Sequence, residues 1–594
     1  MSTEIEAKEV TVGKLFSPDF VFKIPIYQRP LSWEKDNFDQ LFEDILDAIN
    51  SEQKQYFLGS IILQEHEHDE NRFDLVDGQQ RINSLAILMA VIRDYTDISD
   101  LKNNLTSYLY QKEDKYKRIP AEMRITPWED LKEMFKKYIY ESEGTQKFMS
   151  DFKSKLIKYS DSQDPRYHLY EAISIFIEKL KEKLQKPEDL EKFVEYLLTQ
   201  VYLVYIKTGA FASAFRLFNV LNTRGLPLNT PDLLKSENIG EIKNEDMRLQ
   251  YAKIWRDIEN NLGRDELENV IAFIRTIQLK EKAKLSIYEE YRREIFDKEL
   301  LKRGETFIDY VKEVSDIYAD KVLEGKINLG ERSEEKRKEN EYKNIIDLLT
   351  RFVPFSDWIP PLIAFCHKFK EDEHFFNFVL KLEKKVILEW IAGFSSTERI
   401  TSLNRIIKLI ENENNPDTIV NNLLFYKDEE LTGRPSRKLD FSNKNQVESD
   451  LIGRLNDTQF YSIYGGKLAK YILLRIDMKY WELENFPGYP GTITVEHILP
   501  QTPPQNCEWV KMFSEEERME WTNKIGNLVL LSGCKNSKAQ SYDFNKKKTI
   551  YFKDKSTPFR ITREVENKVK WTLEELKARQ KKLLNDATEI FLNY

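Results

Sequence analysis

The chain has 594 residues, 41% hydrophobic and 12% aromatic, enough for several cores, which excludes a wholly disordered protein and suggests about three to five domains. Twenty glycines and twenty prolines exclude collagen-like and low-complexity architectures, and three cysteines (Cys366, Cys507, Cys534) with no CxxC pair exclude a disulfide scaffold and a cysteine-rich zinc site. The net charge of −9 argues against blanket binding of nucleic acid, yet Lys535–Lys582 holds 15 Lys/Arg against 6 Asp/Glu; such a basic segment either places a phosphate backbone at one site or is a solvated helix.

The start, MSTEIEAKEVTVGKLF, lacks a basic region followed by an apolar stretch and does not read as a signal peptide. The longest apolar run, Leu85–Ile92, is far short of the ~20 residues that cross a bilayer; the cytoplasm is the expected compartment. The first ~95 residues read as mixed α/β: strands at Phe20–Ile26, Phe57–Gln64 and Phe73–Val76, an amphipathic helix at Asn37–Ile49 and a buried helix at Ile82–Arg93. From about 100 to about 430 the pattern is almost all helical, for example at Leu190–Leu203, Ala210–Leu221, Leu267–Gln278 and Phe375–Ile391, with a highly charged helix or loop at Gly325–Tyr342. A polar stretch, Lys427–Gln446, leads to a C-terminal domain with a helix near Lys467–Asp477, a Gly/Pro turn at Pro487–Gly491 and a strand at Thr492–Glu496.

Six histidines occur in the chain, and His497 alone lies in the last third, in VEHILPQ directly after that strand. IGNLVLLSGCKNSKAQ and SYDFNKKKTIY follow. Strand, loop, strand and an asparagine-bearing helix give the layout of a ββα-metal nuclease site. A neutral imidazole can activate water near pH 7, and Glu496 with Asn536 offers hard oxygen ligands suited to Mg²⁺ or another divalent cation. Asn527, in a Gly-Asn turn, can orient the imidazole. The competing reading is a structural histidine among turn asparagines. The set EHILPQ, GNLVLL, NS and Phe544-x-x-Lys547-x-x-x-Tyr551 resembles the His-Asn-Asn nuclease domain of GmrSD-type restriction endonucleases. The resemblance implies His497 as base, Asn527 as its orienter, Glu496 and Asn536 as metal ligands, and Lys547 on phosphate. Asn536 stands where many related nucleases carry histidine.

Two N-terminal clusters complement this. IPIYQRPLSW carries Tyr27, Gln28, Arg29 and Trp33; LVDGQQRINSL carries Asp77, Gly78, Gln79, Gln80 and Arg81 where a strand gives way to a helix. A helix N-terminus with glycine, amide donors and an arginine is a phosphate site, although a polar helix-capping turn explains DGQQR equally well. Together the clusters resemble the ParB/sulfiredoxin-like N-terminal NTPase domain of the same family, in which DGQQR carries nucleotide hydrolysis. FRLFNVLNTRGLPLNTPDLLK is a third matching element: Asn222–Gly225 end one helix, Thr230 caps the next with Pro231 in its first turn, and Arg224 either reaches phosphate or belongs to a plain helical connection.

The expected fold is α+β and predominantly helical: a small mixed α/β ParB/sulfiredoxin-like NTPase and DNA-modification-sensing domain with a helical extension (1–240), a helical linker domain (241–440) and an HNH-like nuclease domain (441–594). The function this implies is an NTP-regulated, metal-dependent endonuclease cleaving or nicking modified DNA, such as glucosylated-hydroxymethylcytosine or phosphorothioate DNA, in phage defence. The NTP (GTP, ATP, CTP or UTP) is left open. The implied partners are double-stranded DNA and nucleotide, with no membrane and with a homodimer as a candidate assembly. Nucleotide contacts fall to Asp77–Arg81, Arg29 and Arg224, and Tyr27, Gln28 and Trp33 are candidate readers of the DNA mark. A nucleotide-responsive sensor with an inactive nuclease domain is the rival; a ParB-like scaffold has no use for a base beside metal ligands.

Overall fold

The structure, a computed structural model, describes residues 5–25, 31–66, 69–113, 115–116, 120–127, 129–152, 165–208, 229–370, 373–424, 443–483, 486, 488–489, 491–552 and 557–593. Tyr27, Gln28, Arg29, the expected helix Ala210–Leu221 and the Asn222–Gly225 turn with Arg224 lie outside the described residues, as does most of Lys427–Gln446. The chain is a predominantly helical α+β protein. It divides into two compact units: 1–257 with 303–308, and 258–302 with 309–594.

The first unit is built on a six-stranded mixed sheet. Its strands are β1 (Glu6–Thr11), β2 (Val21–Lys23), β3 (Tyr56–His66), β4 (Asp69–Asp77), β5 (Ile125–Thr126) and β6 (Val201–Thr208), in the order β1-β6-β3-β4-β2-β5. β3 pairs antiparallel with β4 and parallel with β6, so it is a central strand, and Ile61, Ile62 and Leu63 are completely buried in it. Helix α1 (Lys35–Asn50) buries Phe38, Leu41, Phe42, Ile45 and Ile49, the stripe its spacing predicts. Helix α2 (Gln79–Tyr95) is buried along nearly its whole length, as an unbroken apolar run requires. Helices α3 (Pro165–Lys183) and α4 (Pro187–Thr199) join α1 and α2 in the same core.

One expected helix ends early. α4 stops at Thr199, and Val201–Leu203 open β6 instead. The run VYLVYI is β-branched and aromatic, and pairing with both β1 and β3 overrides the helical pattern that precedes it. A second correction concerns helix α5 (Thr230–Glu241). Its cap is Asn229, whose Oδ1 accepts from the Asp232 N–H at 3.2 Å, and Thr230 is already the first helical residue.

The second unit holds most of the stretch 241–440, expected as a separate helical domain, together with the C-terminal elements, while 241–257 and 303–308 belong to the first unit. It includes α6 (Arg264–Leu279), α7 (Ser333–Phe352), α8 (Glu373–Ile391), α9 (Lys444–Leu455) and α10 (Lys467–Lys479). After these come β7 (Ile493–His497), β8 (Leu528–Ser532), α11 (Gly533–Ala539), α12 (Phe544–Phe552) and α13 (Leu573–Leu592). A buried polar cluster ties the two stretches together. Arg475 Nε on α10 donates to Glu383 Oε1 on α8 at 2.8 Å, and Tyr471 OH donates to the same oxygen at 2.9 Å. Leaving either charge without its partner would be costly, which fixes the register of α10 on α8.

Candidate active site

β7 and β8 form an antiparallel hairpin in which Leu528 faces His497 and Val529 faces Glu496. Apolar residues seat it: Val529 and Leu531 are fully buried in a cluster with Trp509, Phe544 and Trp571. His497 ends β7 and is 7% exposed. Its Nε2 lies 3.1 Å from Asn523 Oδ1, an oxygen that also accepts from Gln501 Nε2 at 3.0 Å. The Tyr461 ring meets the imidazole edge-on at 4.4 Å between centroids. Burial pulls the imidazole down to about 4, helped by the charge of Lys547 and opposed by the bond to Asn523, so His497 is neutral at pH 7.

Asn527 differs from its expected role. Its Oδ1 accepts from the Leu499 N–H at 2.8 Å, and its Nδ2 donates to Leu499 O and Thr522 O at 2.9 and 2.8 Å. It is completely buried and clamps the loop after His497, while the contact with the ring comes from Asn523. Lys547 is also displaced from its expected place on phosphate. Its Nζ is buried, donating at 2.6 Å to both Glu496 Oε1 and His497 O. Tyr551 OH donates to Glu496 Oε1 at 3.2 Å. The residues Phe-x-x-Lys-x-x-x-Tyr thus put Lys547 and Tyr551 on one face of α12, one turn apart, toward the carboxylate. Burial raises the Glu496 carboxyl above its ordinary value despite Lys547, and lowers the Lys547 ammonium despite Glu496.

Asn536, on α11, is half-buried against β7, with a long contact of 3.5 Å from its Nδ2 to Val495 O. Among the described residues no three His, Cys, Asp or Glu side chains come together as a ligand group. One carboxylate and one amide oxygen fit an ion that keeps water and substrate oxygens, as Mg²⁺ does, and do not fit a zinc cage.

The C-terminal helix pins the turn between these elements. Gln580 Oε1 accepts from the Gly526 N–H at 2.6 Å, and Arg579 Nη1 donates to Gly526 O and Leu528 O at 2.7 and 2.8 Å. A Cβ at position 526 would stand 2.8 Å from Gln580 Oε1, which is why glycine precedes Asn527. No motif marks Asn523, Tyr461, Arg579 or Gln580 in the sequence.

In the first unit β4 ends at Asp77 and α2 begins at Gln79. Gly78 makes the turn with φ +87°, and a Cβ there would come within 2.4 Å of Ile61 Cγ2. Asp77 Oδ1 accepts from the Gly78 N–H at 2.8 Å; burial raises this carboxyl above its ordinary value, against the Gly78 bond and the charge of Arg81. Gln79 is buried. Gln80 Oε1 accepts from the N–H groups of Ser32 and Trp33 at 3.0 and 3.3 Å, so the two N-terminal motifs meet. Arg81 Nη1 donates to Ser60 O at 2.8 Å over Gly59, where a Cβ would come within 3.2 Å of the guanidinium. Trp33 is half-buried, with its ring edge-on to Phe38 against the core.

His497 ends β7 directly after Glu496, and Asn536 stands on the helix that follows the hairpin, which makes this a candidate hydrolase site. Comparison with protein families specifies it. Residues 12–239 match the N-terminal domain of GmrSD restriction endonuclease, and residues 446–586 match the C-terminal domain of GmrSD restriction endonucleases. The chain belongs to the GmrSD restriction endonucleases and is a DNA endonuclease of phage defence. No curated protein matches it. Among the described residues no helix is long and apolar enough to cross a membrane.

Proposed function

We propose that this endonuclease uses His497 as the general base for phosphodiester hydrolysis, acts on modified duplex DNA in the cytoplasm, and is licensed by an NTP bound at Asp77–Arg81. The observation that carries the reading is the neutral, buried imidazole of His497 at the end of the strand that bears Glu496, with Asn536 on the helix after the hairpin. His497 takes the proton of the attacking water. Asn527 holds the loop through Leu499, and Lys547 balances Glu496. A divalent cation held by Glu496 and Asn536 would supply stabilisation of the leaving oxygen.

Nucleotide phosphate is assigned to the start of α2, where the positive partial charge of the helix end stands with Arg81 and Asp77. Gln80 takes a supporting role, tying Ser32 and Trp33 to that turn. Arg29 and Arg224 are retained as converging cations, and Tyr27 with Gln28 as readers of the DNA mark. A homodimer would bring two nuclease sites to one duplex.

Digestion of modified and unmodified phage DNA, with and without Mg²⁺ and each NTP, tests the reading. His497→Ala should lose ~10²–10⁴ in cleavage rate with NTP turnover intact. Asp77→Ala should lose NTP turnover with metal-dependent nicking intact. Cleavage by His497→Ala at the wild-type rate would overturn the nuclease assignment, and unchanged turnover in both Asp77→Ala and Arg81→Ala the nucleotide assignment.

A further inference from the structure

We infer that Asn523 and Tyr461 are positioning residues that fix the tautomer and the plane of the His497 imidazole, so that Nδ1 is the nitrogen that takes the proton; this rests on the nuclease reading of His497. Neither residue belongs to the EHILP, GNL or Asn536 elements: Asn523 reaches the ring from the connection between β7 and β8, and Tyr461 from the turn before α10.

Asn523 Oδ1 is committed as an acceptor, because Gln501 Nε2 donates to it at 3.0 Å. The imidazole nitrogen 3.1 Å from that same oxygen must therefore carry the hydrogen. A neutral ring with its hydrogen on Nε2 has its lone pair on Nδ1. Tyr461 completes the seat. Its ring stands edge-on to the imidazole, 79° between planes at 4.4 Å, which stops the ring from turning about its Cβ–Cγ bond. The Tyr461 N–H donates to Asn523 O at 3.0 Å, so the two residues hold each other as well as the histidine.

The sequence makes room for this arrangement at one place. Tyr461 lies in the turn Phe460–Gly466 that leads into α10. Gly466 has φ +77°, and a Cβ there would press to 3.0 Å from the Tyr461 ring. Any other residue at 466 would crowd the Tyr461 ring. Gly466 thus belongs to the seat of Tyr461 although it is distant from His497 in sequence.

The test uses the full-length protein with Mg²⁺, nicking of supercoiled plasmid, and imidazole ¹H–¹⁵N correlation spectra of ¹⁵N-histidine protein. His497 is assigned among the six histidines by its absence in His497→Ala. The wild-type spectrum should show the Nε2–H form, and Asn523→Ala a mixture of both forms. Asn523→Ala should lower kcat by roughly 10–100-fold with KM for DNA unchanged. Asn523→Asp keeps an acceptor and should restore both the tautomer and most of the rate. Tyr461→Ala should fall with Asn523→Ala. An Nδ1–H tautomer in the wild type, or Asn523→Ala with wild-type kcat, overturns the inference. The spectra are read without turnover, so an inactive role for His497 would appear separately, as full nicking by His497→Ala.

Discussion

Gly78 shows how much of this protein depends on single backbone positions. Its φ of +87° costs a side-chain-bearing residue ~1–2 kcal/mol, and the clash of a Cβ there with the Ile61 side chain adds to that. Gly78→Ala should lower the thermal midpoint of the first unit and weaken NTP turnover together, because the same turn sets the start of α2; a midpoint equal to wild type would show that the turn relaxes. At this scale the sequence was readable where chemistry is carried by a compact motif. Glu496, His497 and Asn536 are legible from EHILP and the asparagine that follows, and the structure sets them on one hairpin and its next helix. Asn523 and Tyr461 are not legible. They approach His497 from 26 and 36 residues away through a turn and a loop with no periodicity, and only the fold brings them in. Asn527 and Lys547 were read as facing ring and phosphate because a motif names residues without saying which way they point.

At the scale of elements, α10 carries the clearest pH signature. Asp477, completely buried, accepts from the Ile561 N–H at 2.7 Å, Tyr489 OH at 2.8 Å and Trp481 Nε1 at 3.2 Å. Burial lifts its carboxyl to about 6 from an ordinary 3.8, outweighing those bonds. Between these values the folded chain keeps a proton that the unfolded chain has released. The associated stability is present below pH ~4 and lost as pH rises through ~6, roughly 3 kcal/mol at ~1.4 kcal/mol per pH unit. Asp477→Asn removes the titration. The difference in unfolding free energy between wild type and Asp477→Asn should therefore change across pH 4–6 and be flat from pH 7 to 8; a flat difference throughout would mean the carboxyl ionises normally. Elements were legible to the extent that their own periodicity decides them. α1, α2 and α8 follow from apolar spacing, whereas β6 exists because β1 and β3 are there to pair with it.

For the whole molecule, the charge asymmetry yields a prediction about DNA binding. Of the 15 basic residues in Lys535–Lys582, Lys547 and Arg579 are turned inward, one to Glu496 and one to backbone carbonyls. Lys538 and Lys581 are exposed. DNA affinity should fall steeply with KCl, and each exposed lysine that contacts phosphate should account for ~0.9 of the slope of log K against log salt. Lys538→Ala with Lys581→Ala should shallow that slope without altering preference for modified over unmodified DNA, since phosphate contacts carry no sequence or base information. Equal slopes in filter binding would place the duplex on another face.

The grip of α13 on the Gly526–Leu528 turn has a consequence for slow motion. The Gly526 amide is donated to a side chain, Gln580, and not to a neighbouring strand, so strand fraying does not free it. Its exchange with solvent deuterium reports the undocking of the last helix, and the loop that follows His497 shares that opening through Asn527. The Gly526 amide and the amides of the loop after His497 should therefore exchange with a common protection factor, set by the docking of the final helix some fifty residues further along the chain.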